Sequence, residues 1–263
     1  MKLGFIGCGN MANAMINGIV ASQVVKPDEI IASNRSMPAL EKAQAAYGIH
    51  VTQNNNEAAE ADIVFLCVKP KVYPEVIKQI RDQMTDDQII VTIAPGFTLE
   101  TLENAFGKPV KLVRTMPNTP AMVSEGMTAF TTNELVSRAE TEQVKKLLNA
   151  FGRCEEVEEF MMDAVTSVSG SSPAYVYMMI EAMADGAVRD GMPRAQAVRF
   201  AAQAVLGSAK MVLETGRHPG ELKDMVCSPA GTTIEAVAVL EEKGFRAAVL
   251  DAMAACTKKA KGK

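Results

Sequence analysis

The first half of the chain alternates short apolar, β-capable runs with longer segments whose apolar residues recur every three or four positions. The runs fall at 3–6, 29–32, 62–68, 88–93 and 110–113, and the helix-like segments at 11–21, 38–47, 73–82 and 99–106. Strand–helix–strand repetition of this kind predicts a mostly parallel sheet with helices on both faces. Stretches 126–132, 134–150 and 152–156 predict a further strand, helix and strand that extend the sheet. Beyond Asp163 the texture changes to alanine- and methionine-rich segments of helical period, punctuated at Gly170 and Pro173, Gly191 and Pro193, Gly216 and Pro219, and Pro229 and Gly231. The expectation is an α/β domain over 1–160 followed by an all-α domain over 161–263.

Within the second part, residues 175–188 (YVYMMIEAMADGAV) are apolar nearly all round, broken chiefly by Glu181 and Asp185. A helix apolar on most faces needs burial. About 100 helical residues can hardly surround it alone, so burial in a subunit interface is expected. Most of the chain's 17 methionines read as adaptable core and interface packing and not as ligands.

The first run leads directly into Gly7-Cys8-Gly9-Asn10-Met11-Ala12 and then a helix. This fits the dinucleotide fingerprint G-x-G-x-x-G/A of a Rossmann-type domain: Gly7 for the turn, Gly9 for close approach to a pyrophosphate, Ala12 for tight helix–strand packing. A purely structural glycine turn is the bland alternative. The second run ends at Ser33-Asn34-Arg35 with no carboxylate. An acid there would bond a ribose 2′-OH, whereas hydroxyl, amide and guanidinium donors suit a 2′-phosphate. The expectation is NADP(H) in preference to NAD(H), with an ordinary polar loop as the alternative.

Composition narrows the remaining choices. With 48% hydrophobic residues and a net charge of −4, the chain buries a substantial core and shows no basic surface for nucleic acid. The terminal lysine cluster reads as a solvated tail. No apolar run approaches the ~20 residues of a membrane helix, and glycines interrupt the segment where a signal-peptide core would lie. Five scattered cysteines without a C-x-x-C pattern, and two histidines, argue against a zinc site and for a reduced, cytoplasmic protein. His50, just ahead of a strand, and His218, in a Gly-Arg-His-Pro-Gly turn, are poorly placed for catalysis. Three unusual stretches remain: Val68-Lys69-Pro70, the 116–120 segment MPNTP, and the 228–233 segment SPAGTT. In the last, Thr232 and Glu235 fit a capping box, which would leave the amides of Gly231, Thr232 and Thr233 at a helix N-terminus. That arrangement suits a small carboxylate, although ordinary capping, being common, is the better reading of the segment taken alone.

Taken together, GFIGCGNMA, LCVKP, RTMPNTP, DAVTSVSGSSPAYVY and HPGELKDMVCSPAGTTIEAVAVLEEKGFR resemble the pyrroline-5-carboxylate reductase family, in order and from Leu3 to about Cys256. The resemblance implies NAD(P)H-dependent reduction of L-1-pyrroline-5-carboxylate to L-proline, the last step of proline synthesis. It further implies a homodimer with a shared active site, often assembled into a decamer, with the helical domain serving dimerisation and substrate binding. By motif it carries over cofactor contacts to Gly7, Cys8, Gly9, Asn10, Met11 and Ala12, to Ser33, Asn34 and Arg35, and to Asn55. Cys67, Val68, Lys69 and Pro70 follow, then Ile93, Ala94 and Pro95. It carries substrate contacts to Ser228, Gly231, Thr232 and Thr233, and the Thr233 hydroxyl is expected to bond the ring nitrogen and help deliver a proton. No metal is implied. Ser172 replaces a glycine expected in S-G-S-G-P-A, and Pro95 stands where alanine is frequent. Lys69 is equally readable as a solvated strand-end lysine. The competing readings are a β-hydroxyacid dehydrogenase or imine reductase of similar layout, and a non-catalytic NADP sensor. The hydroxyacid reading lacks its motif around Lys210, the single lysine in the expected long helices.

Overall fold

The structure is a computed structural model describing residues 1–262. Eight strands form one sheet: β1 (Leu3–Ile6), β2 (Ile30–Ser33), β3 (His50–Thr52), β4 (Ile63–Leu66), β5 (Ile89–Thr92), β6 (Lys111–Met116), β7 (Gly126–Thr132) and β8 (Gly152–Glu156). Their order is β3-β2-β1-β4-β5-β6-β7-β8. Every pairing is parallel except β6 with β7. The first strand lies mid-sheet between β2 and β4, so the chain reverses its direction of winding at β1 and β4.

The helices of this part are α1 (Asn10–Ala21), α2 (Met37–Tyr47), α3 (Asn55–Ala58), α4 (Tyr73–Ile80), α5 (Leu99–Phe106), α6 (Arg138–Leu148) and α7 (Met162–Val165). All four residues of β1, β4 and β5 are buried, as a strand covered on both faces requires. The period of two sorts their side chains between two cores. Leu3, Phe5, Ile63, Phe65, Ile89 and Val91 pack under α1, α2 and α6. Ile6, Val64, Leu66 and Ile90 pack under α3, α4 and α5. Phe5 and Phe65 stack across neighbouring strands with centroids 4.7 Å apart. Close approach fixes Gly4, where a Cβ would run into the carbonyl oxygen of Ala58 in α3.

The remaining helices are α8 (Ser172–Arg189), α9 (Arg194–Thr215), α10 (Pro219–Val226), α11 (Thr232–Glu242) and α12 (Phe245–Ala260). The chain divides into one compact unit of residues 1–171 with 256–263 and a second of 172–255. This differs from the boundary expected near 160. Residues 159–171 are bonded into the first unit: Glu159 accepts from the Arg114 guanidinium (2.8 Å) and the Leu99 amide (2.7 Å), and Asn118 donates to the Ser169 carbonyl (3.0 Å). The end of α12 joins them through Thr257 and Ser167, whose hydroxyls lie 3.0 Å apart. Ser172, despite replacing a small glycine, opens α8 without a break.

In the second unit the apolar residues of α8 are not covered. Tyr177 is 59% and Met178 69% exposed, and Ala184 alone in that helix is buried. Phe200, Leu206 and Leu213 of α9 and Leu250 of α12 are exposed as well.

Candidate active site

A cavity of about 600 Å³ opens at the carboxyl ends of β1, β2 and β4. This is the switch point where ligands of open α/β sheets bind. Gly7, Cys8 and Gly9 form one wall, Asn34, Arg35 and Gln53 to Asn56 another, and Cys67, Val68, Lys69, Lys71 and the inner face of α4 the third. Gly7 has φ +98°, and a Cβ there would sit 2.8 Å from the backbone of Cys67 and Val68. Gly9 faces open space instead. It is also the N-cap of α1 without a side chain to close the helix end. The first α1 amides therefore stay open toward the cavity, a ready anion site. These features fit a pyrophosphate.

The expected contacts separate into groups. Gly7, Cys8, Gly9, Asn34, Arg35, Asn55, Cys67, Val68 and Lys69 line the cavity together. Asn10 and Met11 open α1 beside it, whereas Ala12 is fully buried and packs the helix on the sheet. Ser33 is fully buried and lies outside the cavity lining, and its hydroxyl donates to Asn55 Oδ1 (2.8 Å), one of the lining residues. Of the three neighbouring asparagines, Asn54 caps α3 through the Asn56 amide, and Asn55 reaches inward, its Nδ2 donating to Gln79 (2.8 Å). Pro70, Ile93, Ala94 and Pro95 are not among the lining residues, and Ala94 is buried.

Sequence reasoning did not single out Gln53, Lys71, Glu75, Val76 or Gln79, all of which line the cavity. The amide of Gln53 holds the Arg35 carbonyl (2.9 Å) and so sets the β2 tip. The spacing of Glu75 and Gln79 along one helix face was the available signal. Arg35, Lys69 and Lys71 make no ion pair among the described residues, leaving three cations at the cavity against Glu75. Burial pushes the Cys8 and Cys67 thiols up, which favours the protonated form of both wall thiols near neutrality. His218 accepts from the Gly220 amide (3.1 Å) as the cap of α10, and His50 opens β3. Lys210 pairs with Glu214 (3.4 Å) on an exposed face. Among the described residues no cluster of three or more His, Cys, Asp or Glu could hold a metal ion, and no helix is long and apolar enough to cross a membrane.

The segment ahead of α11 departs from the expected capping box. The Gly231 amide donates to the Ser228 carbonyl (3.0 Å), closing a turn over Pro229 and Ala230, which sits at φ +54°. Gly231 then becomes the N-cap, in extended backbone and without a side-chain cap bond, and Thr232 is the first helical residue. The Gly231 amide is consumed, and the amides left open are those of Thr232, Thr233 and Ile234. A Cβ on Gly231 would collide with the Ser228 hydroxyl. The hydroxyls of Thr232 and Thr233 make no hydrogen bond among the described residues. The turn thus leaves the first amides of α11 without a side-chain cap and two hydroxyls beside them.

A winding reversal bearing a glycine cradle, an uncapped helix N-terminus and unpaired cations marks a nicotinamide-dinucleotide oxidoreductase with a helical second domain. Residues 2–96 match a family model described as NADP oxidoreductase, coenzyme F420-dependent, and residues 159–263 one described as pyrroline-5-carboxylate reductase dimerisation. The pyrroline-5-carboxylate reductase of Escherichia coli K12 is 53% identical over 259 residues, spanning 98% of this chain and 96% of its own. That of Methanosarcina acetivorans is 43% identical over 261 residues, with coverages of 99% and 97%. Among solved structures, the Coxiella burnetii reductase matches with TM-score 0.92 at 34% identity, covering 99% of this chain and 97% of that one. The Plasmodium falciparum reductase, solved with NADP bound, matches with TM-score 0.90 at 30% identity over 100% and 97%. The chain belongs to the pyrroline-5-carboxylate reductase family.

Proposed function

We propose that this enzyme reduces L-1-pyrroline-5-carboxylate to L-proline, with NADPH preferred over NADH. The observation that carries the substrate reading is the N-terminus of α11, whose open amides face no side-chain cap. They seat the carboxylate of the imine, and the collision zone at Gly231 keeps the Ser228 turn tight beneath it. When bound, NADPH supplies the hydride that adds at C5 and turns the C=N double bond into a C–N single bond. The ring nitrogen takes a proton, so the product is the secondary amine. A protonated iminium is already electrophilic, which is why no histidine, lysine or metal is needed near the reacting atoms.

Thr233 hydrogen-bonds the ring nitrogen and passes a proton from solvent through a water relay, since an alcohol is a weak acid alone. Arg35, unpaired at the β2 tip, takes the 2′-phosphate that distinguishes NADPH, with Lys71 alongside. Lys69 adds positive charge to the same wall. The exposed apolar helices of the second unit support a homodimer whose shared site brings dinucleotide and imine together, with assembly into a decamer as the further step. Unpaired, scattered cysteines support a reducing, cytoplasmic setting.

Thr233→Ala tests the chemical assignment. It lowers kcat about 10- to 100-fold with the imine, less than loss of a strong general acid would. Wild-type turnover would show the hydroxyl idle. Comparison of the imine with β-hydroxy acids as substrates separates this reading from the hydroxyacid dehydrogenase one.

A further inference from the structure

Tyr73 is fully buried at the start of α4, and its hydroxyl makes two hydrogen bonds to strand ends that lie side by side. It donates to the Leu66 carbonyl at 2.6 Å and accepts from the Ile93 amide at 3.2 Å. The register shows what it replaces. In the parallel β4–β5 pair, Leu66 stands opposite Thr92, and the Ile89 amide bonds the Asp62 carbonyl at 3.0 Å. Parallel ladders repeat every two residues, so the next places are 91 with 64 and 93 with 66. The last is where the phenol sits. One oxygen stands in for the ladder bond between Ile93 and Leu66, satisfying both backbone groups while holding the two strand ends apart. Phe97 stacks on the ring at 4.9 Å and 22°, fixing its direction.

The geometry points to Tyr73 as a positioning residue for the dinucleotide: a hydroxyl wedge that splays the ends of β4 and β5 and sets the spacing of the two segments that follow them. Those segments are Cys67 to Pro70, of which Cys67, Val68 and Lys69 line the cavity, and Ile93 to Pro95. Without the oxygen, either Ile93 and Leu66 close into a direct bond and draw the segments together, or two buried backbone groups lose their partners. Each alternative changes the wall of the cavity, while the apolar packing of the ring is retained in phenylalanine. This inference rests on the reading of the cavity as the NADPH site.

Tyr73→Phe tests it through NADPH affinity measured by dinucleotide fluorescence in the absence of imine. The expected result is a dissociation constant raised about 5- to 20-fold, with the rise in KM for NADPH exceeding any rise in KM for the imine. Ile80→Val, which trims the same helix far from the strand ends, binds NADPH as the wild type does even where its Tm falls equally. Phe97→Leu, which frees the ring but keeps the hydroxyl, weakens binding by a smaller factor and serves should Tyr73→Phe not fold. Unchanged NADPH affinity in Tyr73→Phe, or an equal loss in Ile80→Val, overturns the inference. Failure of the wild-type protein to reduce the imine would strike the functional reading instead, since dinucleotide binding is read separately.

Discussion

At the residue scale, the cavity divides side chains that touch a ligand from those that hold them. Glycine positions were legible in the sequence because their demands are backbone demands: Gly7 at φ +98° and Gly9 open to the cleft follow from spacing alone. Ser33 was not, because nothing in a linear pattern says that the last residue of β2 turns its hydroxyl inward to Asn55. Gln79 and Tyr73 escaped for the same reason, their importance lying in partners dozens of residues away or across two strands. Arg35 carries the clearest prediction here. Among the described residues its guanidinium has no competing carboxylate, and a charge-assisted bond contributes about 1.5–3 kcal/mol. Arg35→Ala therefore lowers the ratio of kcat/KM for NADPH over NADH about tenfold or more, chiefly through KM for NADPH. An unchanged ratio removes Arg35 from cofactor selection.

At the scale of elements, the strands and helices expected from the pattern fell within a few residues of their places because the two cores impose a clean period on both, whereas β3 and α3, three and four residues long, were too short to show one. The segment 228–235 shows where pattern and structure part. A T-x-x-E spacing stands there, yet the box needs threonine to be the N-cap, and the turn closed by the Gly231 amide moves Thr232 one place into the helix. The same spacing at Ser137 and Glu140 does form a box, with the serine hydroxyl accepting from the Glu140 amide and the glutamate returning to the Ser137 amide at 2.8 Å. Urea unfolding distinguishes the two. Ser137→Ala costs about 1 kcal/mol, as loss of a true cap does, whereas Thr232→Ala leaves stability within about 0.5 kcal/mol of the wild type. An equal cost at both positions would restore Thr232 as a cap and close the proposed carboxylate seat.

At the scale of the molecule, the two-part organisation was readable from the change of texture after Asp163; the dimerisation family model begins at residue 159, beside the expected boundary, while the compact units divide after 171. Residues 159–171 belong with the sheet through Glu159 and Ser169, contacts that no composition shift reveals. The second unit was legible chiefly by its excess of apolar surface, since a helix apolar on most faces in a methionine-rich segment exceeds what its own length can bury. Met178, 69% exposed on α8, is the residue through which to test that surface. Met178→Asp shifts the sedimenting species from dimer toward monomer and lowers imine reduction in parallel. A dimer of undiminished activity would place the interface elsewhere. Above both rests the claim that the substrate's acid group sits on the open amides of α11. A crystal structure with a nitrogen-free cyclic proline analogue measures this directly: the account predicts its carboxylate about 3 Å from the Thr232 and Thr233 amides, and a carboxylate bound away from that helix end would contradict it.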